Sequence, residues 1–194
     1  VTFTLTETEI EFEHNGKRLF TLDDVDSITG IGTSTKADDD TSIGKFGVGF
    51  KAVFAYTNSP EIYSGNFSFR IHDLVVPSQE GMVRPNMDAN KTRFVFPFNH
   101  PKKTPEKAVK EIEHSLLNLG DNTLLFLNHI KKVEFICPFR GFGSLERFDH
   151  GNGHIKIITN HINGEVYSSH WLHFQKDVEV NATDDAIEFL MTKG

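Results

Sequence analysis

Apolar and polar residues alternate through the first segment, with Phe3 and Leu5, then Ile10 and Phe12, flanking the polar stretch Thr6-Glu7-Thr8-Glu9. A period of two predicts a pair of short strands joined by a turn. His14-Asn15-Gly16-Lys17 interrupts the pattern, and Thr21 ahead of Asp23 and Asp24 reads as an N-cap with acidic residues at the positive helix end. A short helix is expected over 23–29. From Gly30 to Gly49 the chain turns to Gly, Ser, Thr and Asp, including Asp38-Asp39-Asp40, the composition of a long loop. Phe50 to Tyr56 returns to helical spacing.

Further alternation predicts strands over 61–64, 67–72 and 93–98, with a loop over 76–91. Thr104 and Pro105 begin the clearest helix, Val109, Ile112, Leu116 and Leu119 share a face, and Gly120 is its expected end. The apolar stretch 123–127 fits helix or strand equally. Residues 132–136 read as a strand, and 155–159 with 166–174 read as a hairpin around Asn163-Gly164. The order is α+β with strands outnumbering helices, and no repeat or low-complexity tract divides the chain.

Composition sharpens this picture at a few points. The chain of 194 residues holds 18 Phe against three Tyr and one Trp, and runs such as Phe94-Val95-Phe96-Pro97-Phe98 place them on strands with one buried face. The net charge of −7 offers no basic field for a nucleic acid, so nonspecific nucleic-acid binding is disfavoured. No apolar run approaches the roughly 20 residues of a membrane-spanning helix, and Val1-Thr2-Phe3 lacks the pattern of a signal peptide, so no membrane partner and a cytoplasmic setting are expected. The lone Cys137, inside an apolar run, reads as a buried small hydrophobe. The chain opens at Val1 already in strand pattern and reads as a piece of something longer.

The chemistry concentrates in Ile43-Gly44-Lys45-Phe46-Gly47-Val48-Gly49-Phe50. Three glycines spaced G-x-x-G-x-G end a loop and open a helix, so backbone N–H groups can converge on an anion. The order is neither that of the P-loop nor that of the dinucleotide fold. Ten histidines are also present, but His150 and His154 flank Gly151-Asn152-Gly153, and His170 and His173 fall on opposite faces of an expected strand. No metal-ligand set is read from them, and Lys102-Lys103 and Lys131-Lys132 read as solvated flanks.

The glycine segment closely resembles the glycine box of the GHKL ATPases, the superfamily of gyrase, the ninety-kilodalton chaperones, histidine kinases and MutL, with the chaperone and sacsin-like versions most similar. His14-Asn15-Gly16 followed by Leu19-Phe20 resembles an earlier motif of that family, Gly32-Thr33-Ser34-Thr35-Lys36 the start of its ATP lid, and Lys91-Thr92-Arg93-Phe94 its Gly-Thr strand entry. The resemblance implies a two-layer α/β sandwich (Bergerat fold) with a mixed, mainly antiparallel sheet, forming one ATP-binding domain over 1–194. Residues 1–100 would carry the site motifs and lid, and 101–194 a helix and further strands. It implies phosphate binding by Gly44, Gly47, Val48, Gly49 and Phe50, an adenine wall of Leu19 and Phe20, a base contact from Thr92, and a lid start at Thr33, Ser34 and Lys36.

Two departures stand out. His14 occupies the place of an Asp that accepts from the adenine amino group, and a neutral imidazole accepts through one nitrogen only, so Asn15 and Gly16 share that corner of the site. The family helix carrying a water-activating Glu and a Mg²⁺-holding Asn should precede Val1, so the domain is expected to be N-terminally truncated. Glu113, Asn118 and Asp121-Asn122 mimic that helix on the wrong side of the glycine box. ATP is therefore the expected cofactor, Mg²⁺ is expected only in the complete parent domain, and no catalytic residue is assigned. Other domains of the parent are expected partners, and an uncovered sheet face would favour self-association. The rival expectation is a non-catalytic interaction module on the same fold.

Overall fold

The computed structural model describes residues 1–30, 48–127 and 129–174. Strands β1 (Thr2–Leu5) and β2 (Glu9–His14) lead into helix α1 (Leu22–Thr29), and α2 (Val48–Lys51) continues into a 3-10 turn over Ala52–Ala55. Then come β3 (Glu61–Ser64), β4 (Phe67–His72), β5 (Val76–Ser78), β6 (Thr92–Pro97), α3 (Pro105–Leu117) and α4 (Thr123–Phe126). Strands β7 (Lys132–Cys137), β8 (Gly141–Gly151), β9 (His154–Asn160) and β10 (Val166–Leu172) complete the described chain. The described strands form one sheet in the order β10-β9-β8-β7-β1-β2-β6-β3-β4-β5. Strands β1 and β7 run parallel and the other neighbouring strands antiparallel, giving the mixed, mainly antiparallel sheet expected.

Register decides which face is covered. Phe12 stands opposite Phe3 and Phe94, Phe94 opposite Ile62, and Phe3 opposite Phe135, so the alternating apolar residues share one face. The helices lie on that face. Ala108 and Leu116 of α3 and Leu124 of α4 pack with Leu5, Ile10, Val133, Leu145, Ile155 and Ile157, while Val25 and Ile28 of α1 pack with Ile62, Phe69 and Ile71. The other face carries charge, including Arg93 with Glu11 and Glu13, and Arg70 with Glu61. The result is an α+β two-layer sandwich.

The helix ends follow from their caps. Thr21 and Asp24 form a reciprocal capping box at α1, and the Thr104 hydroxyl accepts from the Lys107 N–H at the start of α3, where Pro105 takes the first position. Helix α3 stops at Leu117, short of Gly120, because the Asn118 side chain donates to the His114 carbonyl at 2.7 Å and satisfies the last turn itself. The helix expected over 50–56 starts at Val48 and tightens to a 3-10 turn at Ala52. Just beyond it, Asn99 Oδ1 accepts from the Thr57 hydroxyl at 3.2 Å and the Asn58 N–H at 2.7 Å, pulling the chain out of α geometry.

The ambiguous stretch 123–127 resolves as α4. Strand β5 falls inside the expected loop 76–91, and β8 was not foreseen at all. Gly141, Gly143 and a charged run conceal its alternation, yet Gly143 is required there, since a Cβ would collide with the Phe135 ring. Cys137 is buried, and that burial pushes its thiol up.

Candidate nucleotide site

Three adjacent strands end in polar residues that stand side by side on the helix-bearing face. The pairings His14–Thr92 and Thr92–Ser64 place one residue from β2, one from β6 and one from β3 in a single row. Ser64 and Thr92 are fully buried, their hydroxyls are 2.5 Å apart, and the Phe20 N–H donates to Ser64 Oγ at 3.0 Å. Two hydroxyls contribute two protons, and one is used between them. The other is available to an acceptor.

His14 is half-buried. Its Nδ1 accepts from the Gly16 N–H at 3.1 Å, so the neutral ring carries its proton on Nε2, and burial pushes its pKa below the usual 6.5. Nε2–H is then a donor, the opposite of the acceptor carboxylate that the resemblance would put at this position. Gly16 is needed at close range, since a Cβ there would lie 3.0 Å from Nδ1. Asn15 and Gly16 are exposed. On the opposite face Glu13 receives Lys91 at 2.7 Å and Arg93 at 2.8 Å. Burial works to raise the Glu13 carboxyl, but these hydrogen bonds and charges outweigh it and hold it below its ordinary value. Lys91 and Arg93 together thereby fasten the start of β6 to β2 on either side of Thr92.

The row of polar ends is backed by an aromatic cluster centred on Phe94. Its ring lies 5.8 Å from Phe12, 6.3 Å from His14, 5.9 Å from Phe20 and 6.2 Å from both Phe50 and Phe96, measured between centroids. Side chains from the first motif, the glycine box and the Thr92 strand thus meet on one residue. Leu19 and Phe20 also line a shallow cleft of about 420 Å³ with Gly65, Phe67 and Asn90. Gly49 is exposed in the first turn of α2, and among the described residues a Cβ there would meet nothing within 4 Å.

Of the residues anticipated from sequence, His14, Leu19, Phe20, Phe50 and Thr92 come together, with Asn15 and Gly16 at the rim. Thr33, Ser34, Lys36, Gly44 and Gly47 lie outside the described residues, and Val48 is described only as the first residue of α2. Ser64 was missed. Its signal was a hydroxyl at an inward position of a strand, two residues after Ile62, which a burial pattern alone reads as a weak end. Phe94 was read only as core.

A larger groove of about 1000 Å³ lies between Thr8, Val109, Phe139 and Ile162, at the turn end of β1 and β2 and away from His14. None of the anticipated residues lines it. Among the described residues no three His, Cys, Asp or Glu side chains are placed to hold a metal ion.

Residues 14–96 match the Sacsin domain family model. Protein NO VEIN of Arabidopsis thaliana is 33% identical over 155 residues, covering 70% of this chain and 6% of that protein. Human sacsin is 26% identical over 156 residues, covering 61% of this chain and 3% of sacsin. The chain thus spans a small fraction of these relatives. The B-subunit of DNA gyrase from Myxococcus xanthus superposes with a TM-score of 0.43 at 12% identity, over 81% of this chain and 54% of that one.

Proposed function

We propose that this chain, whose residues 14–96 match the Sacsin domain family model, binds ATP in the GHKL manner at the His14 end of its sheet. The observation that supports this most is the convergence on Phe94, where three separately recognised motifs meet beside the buried Ser64–Thr92 pair. The spare hydroxyl proton of that pair would donate to a base nitrogen, and the Leu19–Phe20 segment would wall the ring. Gly44, Gly47, Val48, Gly49 and Phe50 would bring backbone N–H groups to the phosphates, with Thr33, Ser34 and Lys36 at the start of the lid. Among the described residues nothing crowds Gly49, which is compatible with a phosphate cradle there.

Hydrolysis needs a positioned water and a metal bridging phosphate oxygens. We assign both to a parent protein, in which Mg²⁺ would join ATP, neighbouring domains would be the partners, and lid closure would drive a conformational cycle in the cytoplasm. Residues 1–194 should then hydrolyse ATP no faster than background in a phosphate-release assay. Isothermal titration with ATP and a nonhydrolysable analogue tests binding itself. Heat that saturates in the wild type and disappears in Gly49→Val, with an unchanged melt, supports the reading.

One observation favours a second reading. With Nδ1 committed to Gly16, His14 presents a donor where an adenine amino group needs an acceptor. A domain that retained the fold as an interaction module, without nucleotide, would tolerate this. Titration without heat for any nucleotide would support that alternative.

A further inference from the structure

The two edges of the sheet are built differently. At one end β5 is three residues long and carries Pro77, which has no N–H to offer a further strand. At the other end β10 runs for seven residues, Val166-Tyr167-Ser168-Ser169-His170-Trp171-Leu172, with no proline, lysine, arginine or carboxylate. Val166 is 63% exposed, Tyr167 54%, Trp171 37% and Leu172 67%. Among the described residues nothing pairs with its outer side.

The direction of its free backbone groups can be read from its two ends. The Glu165 carbonyl accepts from the His161 N–H at 2.8 Å, and the His173 N–H donates to the Gly153 carbonyl at 2.8 Å. Both contacts point toward the β9 side. In an antiparallel strand alternate residues direct both backbone groups the same way, so Tyr167, Ser169 and Trp171 also face β9. Val166, Ser168, His170 and Leu172 direct theirs outward.

The strand is a palindrome in chemical type. Laid antiparallel to itself about Ser169, it sets Val166 against Leu172 and Tyr167 against Trp171, twice over, and Ser168 against His170. The outward-facing residues then meet one another, Val166 with Leu172 and Ser168 with His170, which is the condition for exchanging backbone hydrogen bonds. Tyr167 and Trp171 lie opposite Thr159 and Ile155, so they share the helix-bearing face, while Val166 and Leu172 lie on the other. Aromatic pairs would form on one face and aliphatic pairs on the other. Just beyond the strand, Glu165 of one copy would come opposite His173 of the second, a polar pair at each end rather than two like charges. His170 is already held by His154, with Nε2 and Nδ1 2.9 Å apart, so it need not reorganise.

We propose that β10 is a self-association edge, at which a second copy of this chain adds antiparallel to β10 about a two-fold axis through Ser169 and continues the sheet. Such an interface is isologous, and it places each Ser169 side chain against its own copy in a non-hydrogen-bonded pair, the close-approach site of an antiparallel ladder. That geometry gives a charge-swap test on the full chain. Sedimentation velocity from about 1 μM to about 1 mM, the span of weak to moderate interfaces, should show the wild type passing from monomer to dimer. Ser169→Lys and Ser169→Glu should each remain monomeric because like charges meet on the axis. An equal mixture of the two should dimerise at least tenfold more tightly than either alone. Thermal melts of each variant establish that the fold is retained, and amide exchange should slow with concentration at Ser168 and His170. A wild type that stays monomeric throughout, or single variants that dimerise as well as the wild type, would overturn the proposal. A mixture no tighter than its components would overturn the register.

Discussion

The sheet's two halves bury different chemistry on the same face. Under α3 and α4 the inward positions of β7, β8 and β9 are mainly aliphatic, with Val133, Leu145, Ile155 and Ile157 almost completely buried. Under α1 and α2 the inward positions of β2, β6 and β3 run from Ile62 and Phe94 to Ser64, Thr92 and His14. The first half satisfies itself by packing. The second sinks hydroxyls into the fold and holds them in a row, which costs stability unless each is hydrogen-bonded. Scaffold and candidate site are thus neighbours on one sheet, distinguished by what lies at alternate positions.

Substitutions that treat the halves differently can break this contrast. Ile157→Ala removes a side chain with no exposure in the aliphatic half and should cost about 2–5 kcal/mol of stability. Chemical denaturation measures that cost, and nucleotide affinity should be unchanged wherever the variant is folded. Thr92→Val keeps the shape and removes one member of the buried hydroxyl pair. It should cost about 1–3 kcal/mol, and unlike Ile157→Ala it should weaken ATP binding about tenfold or more in titration calorimetry. A Thr92→Val protein of wild-type affinity would leave Thr92 as core and nothing more.

His14 sharpens the comparison through pH. Its folded pKa lies below the usual 6.5 because the ring is partly buried, so the unfolded chain takes up the proton first as pH falls. The stability it contributes is present above about pH 6.5 and is lost as pH drops toward its folded pKa. Melts of the wild type and His14→Gln between pH 8 and pH 5 should differ in slope, with the variant less sensitive. The smallest effect belongs to Arg18→Ala. Arg18 pairs with Asp24 at 2.8 Å but is two-thirds exposed, so its loss should change stability by no more than about 0.5 kcal/mol.

Most of the framework was legible in local pattern. The β1–β2 hairpin, α1 with its Thr21 cap, the β9–β10 hairpin and the start of α3 at Pro105 all rest on short-range rules, and each forms where those rules put it. Strand β8 was invisible because its early glycines answer to other things than its own pattern: Gly143 leaves room for the Phe135 ring on another strand, and Gly141 takes a positive φ of 114°. The end of α3 moved because Asn118 competes for the last carbonyls with a side chain that a Gly120 stop signal does not reveal. The site divides the same way. Motif spacing marked His14, Phe20, Phe50 and Thr92, whereas Ser64 becomes recognisable only once β3 and β6 are in register and its hydroxyl meets Thr92. The tautomer of His14 was equally hidden, since it depends on the direction of the Gly16 N–H.

The most direct measurement of the central claim is titration of the full chain with ATP, alongside Gly49→Val and a melt of both proteins. A Cβ at Gly49 meets nothing within 4 Å among the described residues, and the variant is expected to fold as the wild type does. If phosphates are held there, the wild type binds ATP, Gly49→Val does not, and the two melts without ligand coincide. Equal ATP affinity in both proteins, or no ATP binding by the wild type, would contradict a nucleotide site at this end of the sheet.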